Sequence, residues 1–263
     1  MVKTHEPQFL WKPTRQELLT TRFMRNRVLF TTLAKILLPT LRAKKQAPLK
    51  ILFWACSIGC EPYTLKFLLG PDCEDEIIGV DMDSVAIDQA RRAVYQLEST
   101  TSFEHERLLT QVEFAALFEP AEDVAPGTLQ VAAPYTRNVS FLVGDLFSPN
   151  PTAQLNHYDV VLCNNFLLHL RPSSADIAWN RLYEYVSNNG ILVVGGCNPK
   201  ARSTAAKRLA LRPYLANLME ISMGWSGVSG AWCRTPRPAW AYPEPTADDP
   251  DYPYLAGEIF FKS

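Results

Sequence analysis

The residues of this chain that could do chemistry are few and widely spaced. Arg25 carries a planar guanidinium that pairs bidentately with carboxylates. Glu61 follows a small-residue turn, Cys56-Ser-Ile-Gly-Cys60, and precedes Pro62. Asp81 closes the apolar run Ile77-Ile-Gly-Val80 and lies 22 positions after Gly59. In nucleotide-binding α/β folds, an acidic residue roughly 20 positions beyond the glycine loop bonds the ribose hydroxyls. A carboxylate suits that task because it accepts two charge-assisted hydrogen bonds from a cis-diol. His169 follows an apolar strand, and its unperturbed titration near neutrality would let it act as a base. Each has an ordinary alternative: a solvated helix face for Arg25, a turn for Asp81, a packed histidine for His169.

These residues need a scaffold, and the apolar pattern describes one. Ile51 to Ala55 reads as a strand, followed by a turn through Ser57 and Gly59 and a helix from Pro62. Thr14-Arg-Gln-Glu17 is a capping box that would start an earlier helix, ended by Pro39. Ile77–Val80 is a second strand, and Asp83 or Ser84 caps a helix from Val85 to Tyr95. Residues 98–137 interrupt the rhythm as an insertion, with a helix over 104–118 and a short strand at 129–132. Val139–Val143 and Tyr158–Cys163 are further strands, then a helix from Ser173 or Ser174 to Val186, a turn at Asn188-Asn-Gly190, and a strand at Ile191–Val194. Gly257 to Lys262 reads as a final strand. Strands alternating with helices predict an α/β fold with a mainly parallel sheet. The expected organisation is an arm and helix over 1–48, a core over 49–197, and a Trp- and Pro-rich region over 198–263. The stretch from Met223 to Tyr242 is too apolar for a free linker and is expected to pack over the sheet or a pocket.

Composition narrows the partners. The 263 residues hold 26 Lys plus Arg against 27 Asp plus Glu, so no general attraction to nucleic acid is expected. No apolar stretch approaches the roughly 20 residues that span a bilayer. The N-terminus lacks the apolar centre of a signal peptide, which points to the cytoplasm. The six cysteines form no Cys-x-x-Cys pair and no cluster with histidine, so they read as reduced apolar side chains and no metal is expected.

Several stretches together resemble one family. Cys56-Ser-Ile-Gly-Cys-Glu-Pro-Tyr63 is similar to the Cys-Ser-Thr-Gly-Glu-Glu-Pro-Tyr signature of CheR-type methyltransferases, which use S-adenosyl-L-methionine to methylate receptor glutamates in bacterial chemotaxis. Thr21-Arg-Phe-Met-Arg25 resembles that family's Thr-x-Phe-Phe-Arg. Asp81-Met-Asp83 with Ala93-Val-Tyr95, Phe141 to Leu146, and Tyr158 to Leu170 resemble three further segments, the last one Phe-Asp-x-Ile-x-Cys-Arg-Asn-Val. The resemblance spans roughly residues 18–197 in order. It implies the class I methyltransferase (Rossmann-like) fold, a doubly wound parallel sheet with an antiparallel C-terminal strand.

The resemblance also implies roles. Arg25 would reach the methionyl carboxylate or an acceptor carboxylate, with Thr21 beside it. Glu61 would hold the cofactor's amino group, within a loop that includes Ser57 and Gly59. Asp81 would bind the ribose, with Met82 next to it. Asp145 and Leu146 would flank the adenine, and Asn165 and Phe166 would line the floor under the methionine moiety. There are departures: Cys60 precedes Glu61 where the family has Glu, Trp54 and Ala55 replace smaller residues, and Asp145 replaces Asn. His169 stands where the family has Tyr, and no counterpart of its N-terminal helical domain is expected. The expected activity is methyl transfer to a small-molecule acceptor by oxygen or nitrogen, with the Trp-rich region as its pocket. Protein glutamate methylation is the alternative, and a non-catalytic cofactor-binding module the second.

Overall fold

The computed structural model describes residues 21–96, 109–121, 127–148, 157–224 and 246–263. The Thr14–Glu17 capping box and nearly all of the Trp-rich stretch lie outside the described residues.

The first described helix, α1 (Arg27–Thr32), starts at Asn26, whose side chain accepts from the Leu29 N–H. It runs through a π-helical turn, Leu33–Leu37, into α2 (Leu38–Lys45). Pro39 was expected to end this helix. Instead the π-turn resets the hydrogen-bond ladder, so that Pro39 falls at the start of α2, where its missing N–H costs nothing.

The core then follows the predicted alternation. The elements are β1 (Lys50–Trp54), α3 (Cys60–Leu69), β2 (Glu76–Asp81) and α4 (Ser84–Arg92). The helix α3 begins at Cys60, two residues earlier than expected, because Gly59 at φ +86° breaks the strand direction there. The helix α4 is capped by Asp83, which accepts from the Val85 and Ala86 N–H groups. It stops at Arg92 instead of Tyr95, because Ala93 turns left-handed. The residues after it form β3 (Val94–Gln96). The described insertion consists of α5 (Gln111–Leu117), β4 (Phe118–Pro120) and β5 (Thr128–Val131), and the three short strands make an antiparallel sheet ordered β3-β5-β4.

The chain re-enters the main sheet at β6 (Val139–Val143) and continues through β7 (Tyr158–Leu162), α6 (Pro172–Tyr185), β8 (Val186–Val193) and α7 (Pro199–Arg208). The turn expected at Asn188–Gly190 is an irregularity inside β8, where Asn189 adopts φ +62°. The last elements are β9 (Arg212–Pro213), α8 (Leu218–Met223), α9 (Tyr252–Ala256) and β10 (Ile259–Phe261). The seven-stranded sheet is ordered β6-β2-β1-β7-β8-β10-β9. All pairings from β6 to β8 are parallel, and β10 runs antiparallel between β8 and β9. Central strands of such a sheet are covered on both faces. In β1, Ile51 and Phe53 enter one apolar cluster, while Leu52 and Trp54 enter the other. Strand order reverses between β1 and β7, and a crevice opens there at the carboxyl ends of the strands.

Candidate active site

The turn from β1 to α3 is unusually contorted. Ala55, Ser57 and Gly59 all take positive φ, at 55°, 53° and 86°. For Ala55 and Ser57 this costs on the order of 1–2 kcal/mol each. Three bonds hold the shape: Cys56 N–H to the Val80 carbonyl at 3.1 Å, Gly59 N–H to the Cys56 carbonyl at 3.0 Å, and Ser57 N–H to Asp81 Oδ2 at 2.8 Å. A Cβ on Gly59 would come within 2.9 Å of the Phe141 ring and 3.0 Å of Ala90, so only glycine lets α3 close onto the sheet.

Asp81 is thereby fixed from two sides. Its second oxygen accepts from the Asp83 N–H at 2.9 Å. Burial pushes its carboxyl upward from the usual carboxylate range, against the pull of these N–H donors. Met82, 57% exposed beside it, lines the same cleft as Leu146 and Phe147, and the three give it apolar surface. Asp145 accepts from the Phe147 N–H at 2.9 Å, which sets the turn after β6.

Glu61 lies in the first turn of α3, where the helix dipole favours a negative charge. It is 8% exposed, and burial raises its carboxyl from the usual range. Two groups oppose that rise: Asn164, whose Nδ2 donates to Glu61 Oε2 at 2.9 Å, and the Arg25 guanidinium. Arg25 is lowered from its ordinary value, first by burial and in part by Arg22, while Glu61 raises it.

The turn that carries Thr21 and Arg25 is anchored by its apolar neighbour. Phe23 meets Tyr95 and Phe118 edge-on, at ring-centroid distances of 5.0 and 4.9 Å. Tyr95 in turn donates to the Ile58 carbonyl at 2.7 Å, and Thr64 Oγ accepts from the Met24 N–H at 3.0 Å. The small insertion sheet thus clamps the N-terminal turn to the loop after β1.

One cleft gathers Thr21, Arg25, Ser57, Glu61, Asp81, Met82, Asp145, Leu146, Asn165, Phe166 and His169. Of the residues singled out from sequence, only Gly59 lies behind the wall. Trp54, Ala55, Asp83, Gly144, Phe147 and Asn164 also line it. Asn164 could have been found from its place at the tip of an apolar strand. His169 ends a short 3-10 turn, Leu167–His169, that follows Asn165. Around the cleft, Cys56, Cys60 and Cys163 are buried, and burial pushes all three thiols up, so they stay protonated at neutral pH. Among the described residues, no group of side chains is arranged to hold a metal ion, and no helix is long and apolar enough to cross a membrane.

The residues present fit the cofactor that the sequence implies. Ser57 Oγ, Asn165 Nδ2 and Trp54 Nε1 are buried in the cleft wall with no hydrogen-bond partner among the described residues. Buried polar atoms are nearly always satisfied, so a polar ligand is the natural complement to these three. A carboxylate for a diol, another for an ammonium and a guanidinium for a carboxylate match the ribose and amino-acid ends of S-adenosylmethionine.

Comparison with known proteins agrees. The family described as "CheR methyltransferase, SAM binding domain" matches residues 19–206. A chemotaxis protein methyltransferase of Listeria monocytogenes is 25% identical over 177 residues, which cover 66% of this chain and 63% of that protein. The probable biofilm formation methyltransferase WspC of Pseudomonas aeruginosa is 31% identical over 162 residues, 60% of this chain and 36% of its own length. The chain therefore spans less than two thirds of the length of either relative. Among solved structures, a TehB-like S-adenosylmethionine-dependent methyltransferase from Corynebacterium glutamicum aligns with 73% of this chain and 74% of that chain, at 15% identity and a TM-score of 0.39. The matched stretch runs from the N-terminal turn through every wall of the cleft and into α7, and by it the chain belongs to the CheR methyltransferase family, as its S-adenosylmethionine-binding domain.

Proposed function

We propose that this chain transfers a methyl group from S-adenosylmethionine to a carboxylate on a protein. The single observation that supports it best is the convergence of Arg25, Glu61, Asp81, Asn165 and His169 on one cleft at the strand tips. The relatives named as chemotaxis methyltransferases favour a protein acceptor over the small molecule that the sequence departures suggested.

The bound cofactor would supply an electrophilic methyl group, whose bond to sulfur breaks as the bond to the acceptor oxygen forms. Asp81 would take the ribose hydroxyls, Glu61 the ammonium, and Met82, Asp145 and Leu146 the adenine. Arg25 would orient a carboxylate through its planar fork. A carboxylate acceptor is already ionised at neutral pH, so no residue has to remove a proton. The protein's contribution is alignment, which can lower such a barrier by ~7–11 kcal/mol.

His169 favours a second reading. A hydroxyl or amine acceptor on a small molecule would need a base, and His169 lines the cleft where the family has Tyr. Radiolabelled methyl transfer in a cell extract tests both. A carboxyl methyl ester precipitates with protein and releases volatile methanol on alkaline treatment. Label that extracts into organic solvent, or that survives alkali, overturns the protein-carboxylate reading. Wild-type protein that binds the cofactor and yields no methylated product in any fraction overturns both readings in favour of a cofactor-binding module.

A further inference from the structure

We propose that Asn164 is a positioning residue that orients Glu61 to receive the cofactor's ammonium. The inference rests on the reading that Glu61 binds that group.

Asn164 is 8% exposed and bridges two walls of the cleft. Its Oδ1 accepts from the Gly195 N–H at 2.9 Å, and its Nδ2 donates to Glu61 Oε2 at 2.9 Å. The geometry leaves one orientation. The Gly195 N–H, just beyond β8, can only donate, so the amide oxygen must face it. The amide nitrogen must then face Glu61. A donor in that place favours the charged carboxylate over the neutral acid. It occupies Oε2 and leaves the other oxygen of Glu61 for the cleft.

The family motif carries Arg where this chain has Asn164. The amide in that place gives Glu61 a donor that carries no charge. The carboxylate then faces one charged neighbour acting on it, Arg25 from the N-terminal turn. Among the described residues, the thiols of Cys60 on its own helix, Cys56 on the preceding loop and Cys163 after β7 also lie near it, and Asp81 and His169 line the same cleft. All three thiols are buried and protonated. A neutral amide can hold Glu61 in an ammonium-accepting state without neutralising it, which an arginine in direct contact would do.

The test is calorimetry with two probes. S-adenosylhomocysteine carries the α-ammonium, and 5′-methylthioadenosine lacks the whole amino-acid end. Asn164→Leu removes both bonds at similar volume. Its affinity for S-adenosylhomocysteine at pH 7 should fall roughly tenfold or more, the scale of a hydrogen bond to a charged group. Its affinity for 5′-methylthioadenosine should match wild type. Asn164→Ser, which keeps a hydroxyl, should show the same discrimination to a smaller degree and serves if the leucine variant does not fold. Equal losses for both probes, or no loss, overturn the proposal while wild-type binding keeps the cofactor reading intact. Wild type that binds neither probe overturns both.

Discussion

The side-chain oxygen of Asn165 occupies the space that a Cβ on Gly196 would fill. Both residues are left-handed, at φ 54° and 60°, and the Asn165 N–H donates to the Gly195 carbonyl at 2.9 Å. The segments just beyond β7 and β8 therefore lock each other, and Asn165 Nδ2 is held in the cleft wall by a glycine in the bend after β8.

Gly196→Ala should break this lock. Strain at a left-handed position costs about 1–2 kcal/mol, and displaced Asn165 adds to it. The melting temperature should drop by roughly 2–8 °C, given about 2–4 °C per kcal/mol for a chain of this size. Affinity for S-adenosylhomocysteine should fall as well. A variant with wild-type affinity would show that Asn165 does not touch the cofactor.

Asp81→Asn tests the ribose site. Each carboxylate oxygen already accepts one backbone N–H, from Ser57 and Asp83. An amide can serve only one of them, so one N–H loses its partner at a cost of about 1–3 kcal/mol. The diol also loses a charge-assisted acceptor, and affinity for S-adenosylhomocysteine should fall roughly 10- to 100-fold. Calorimetric affinity equal to wild type would remove Asp81 from the ribose.

Much of this site was legible in the sequence, for physical reasons. The strand β1 is buried on both faces, so it reads as an unbroken apolar run, and Asp81 must sit at a strand tip because an apolar strand cannot hold it elsewhere. The C-terminal strand was legible as antiparallel only through the family resemblance. Its insertion between β8 and β9 depends on pairing across distant sequence, which no local pattern encodes. Pro39 misled because the π-turn over Leu33–Leu37 resets the register just before it, and periodicity in a short window does not resolve 3.6 from a wider turn. Asn164 escaped notice because its partners, Glu61 and Gly195, are 103 and 31 residues away.

The raised carboxyls of Glu61 and Asp81 set the direction of a pH effect. A carboxyl raised in the folded state contributes stability at pH below its unfolded value of about 4 and loses it as pH climbs through the folded value. Without cofactor, both groups thus favour folding on mild acidification. On the proposed roles, cofactor binding needs them ionised and responds oppositely. The thermal shift produced by saturating S-adenosylhomocysteine should shrink as the pH falls from neutrality toward the ordinary carboxylate range. A shift independent of pH over that range would mean that neither carboxylate contacts the ligand in its charged form.

Phe23 gives the clearest separation of scaffold from chemistry. Its ring is fully buried against Tyr95 and Phe118 of the small sheet, two residues from Arg25. Phe23→Ala should destabilise the chain by ~3–5 kcal/mol through the cavity it leaves. Phe23→Leu fills most of that space and should cost less, while losing both edge-on ring contacts, worth ~0.5–1.5 kcal/mol each. If the insertion sheet holds the N-terminal turn over the cleft and Arg25 holds the methionyl carboxylate, Phe23→Leu should weaken S-adenosylhomocysteine more than it weakens 5′-methylthioadenosine, which lacks that carboxylate. The opposite ranking, or an equal loss for both, would mean that the turn acts on the cleft as a whole and that Arg25 has no separate role at the carboxylate.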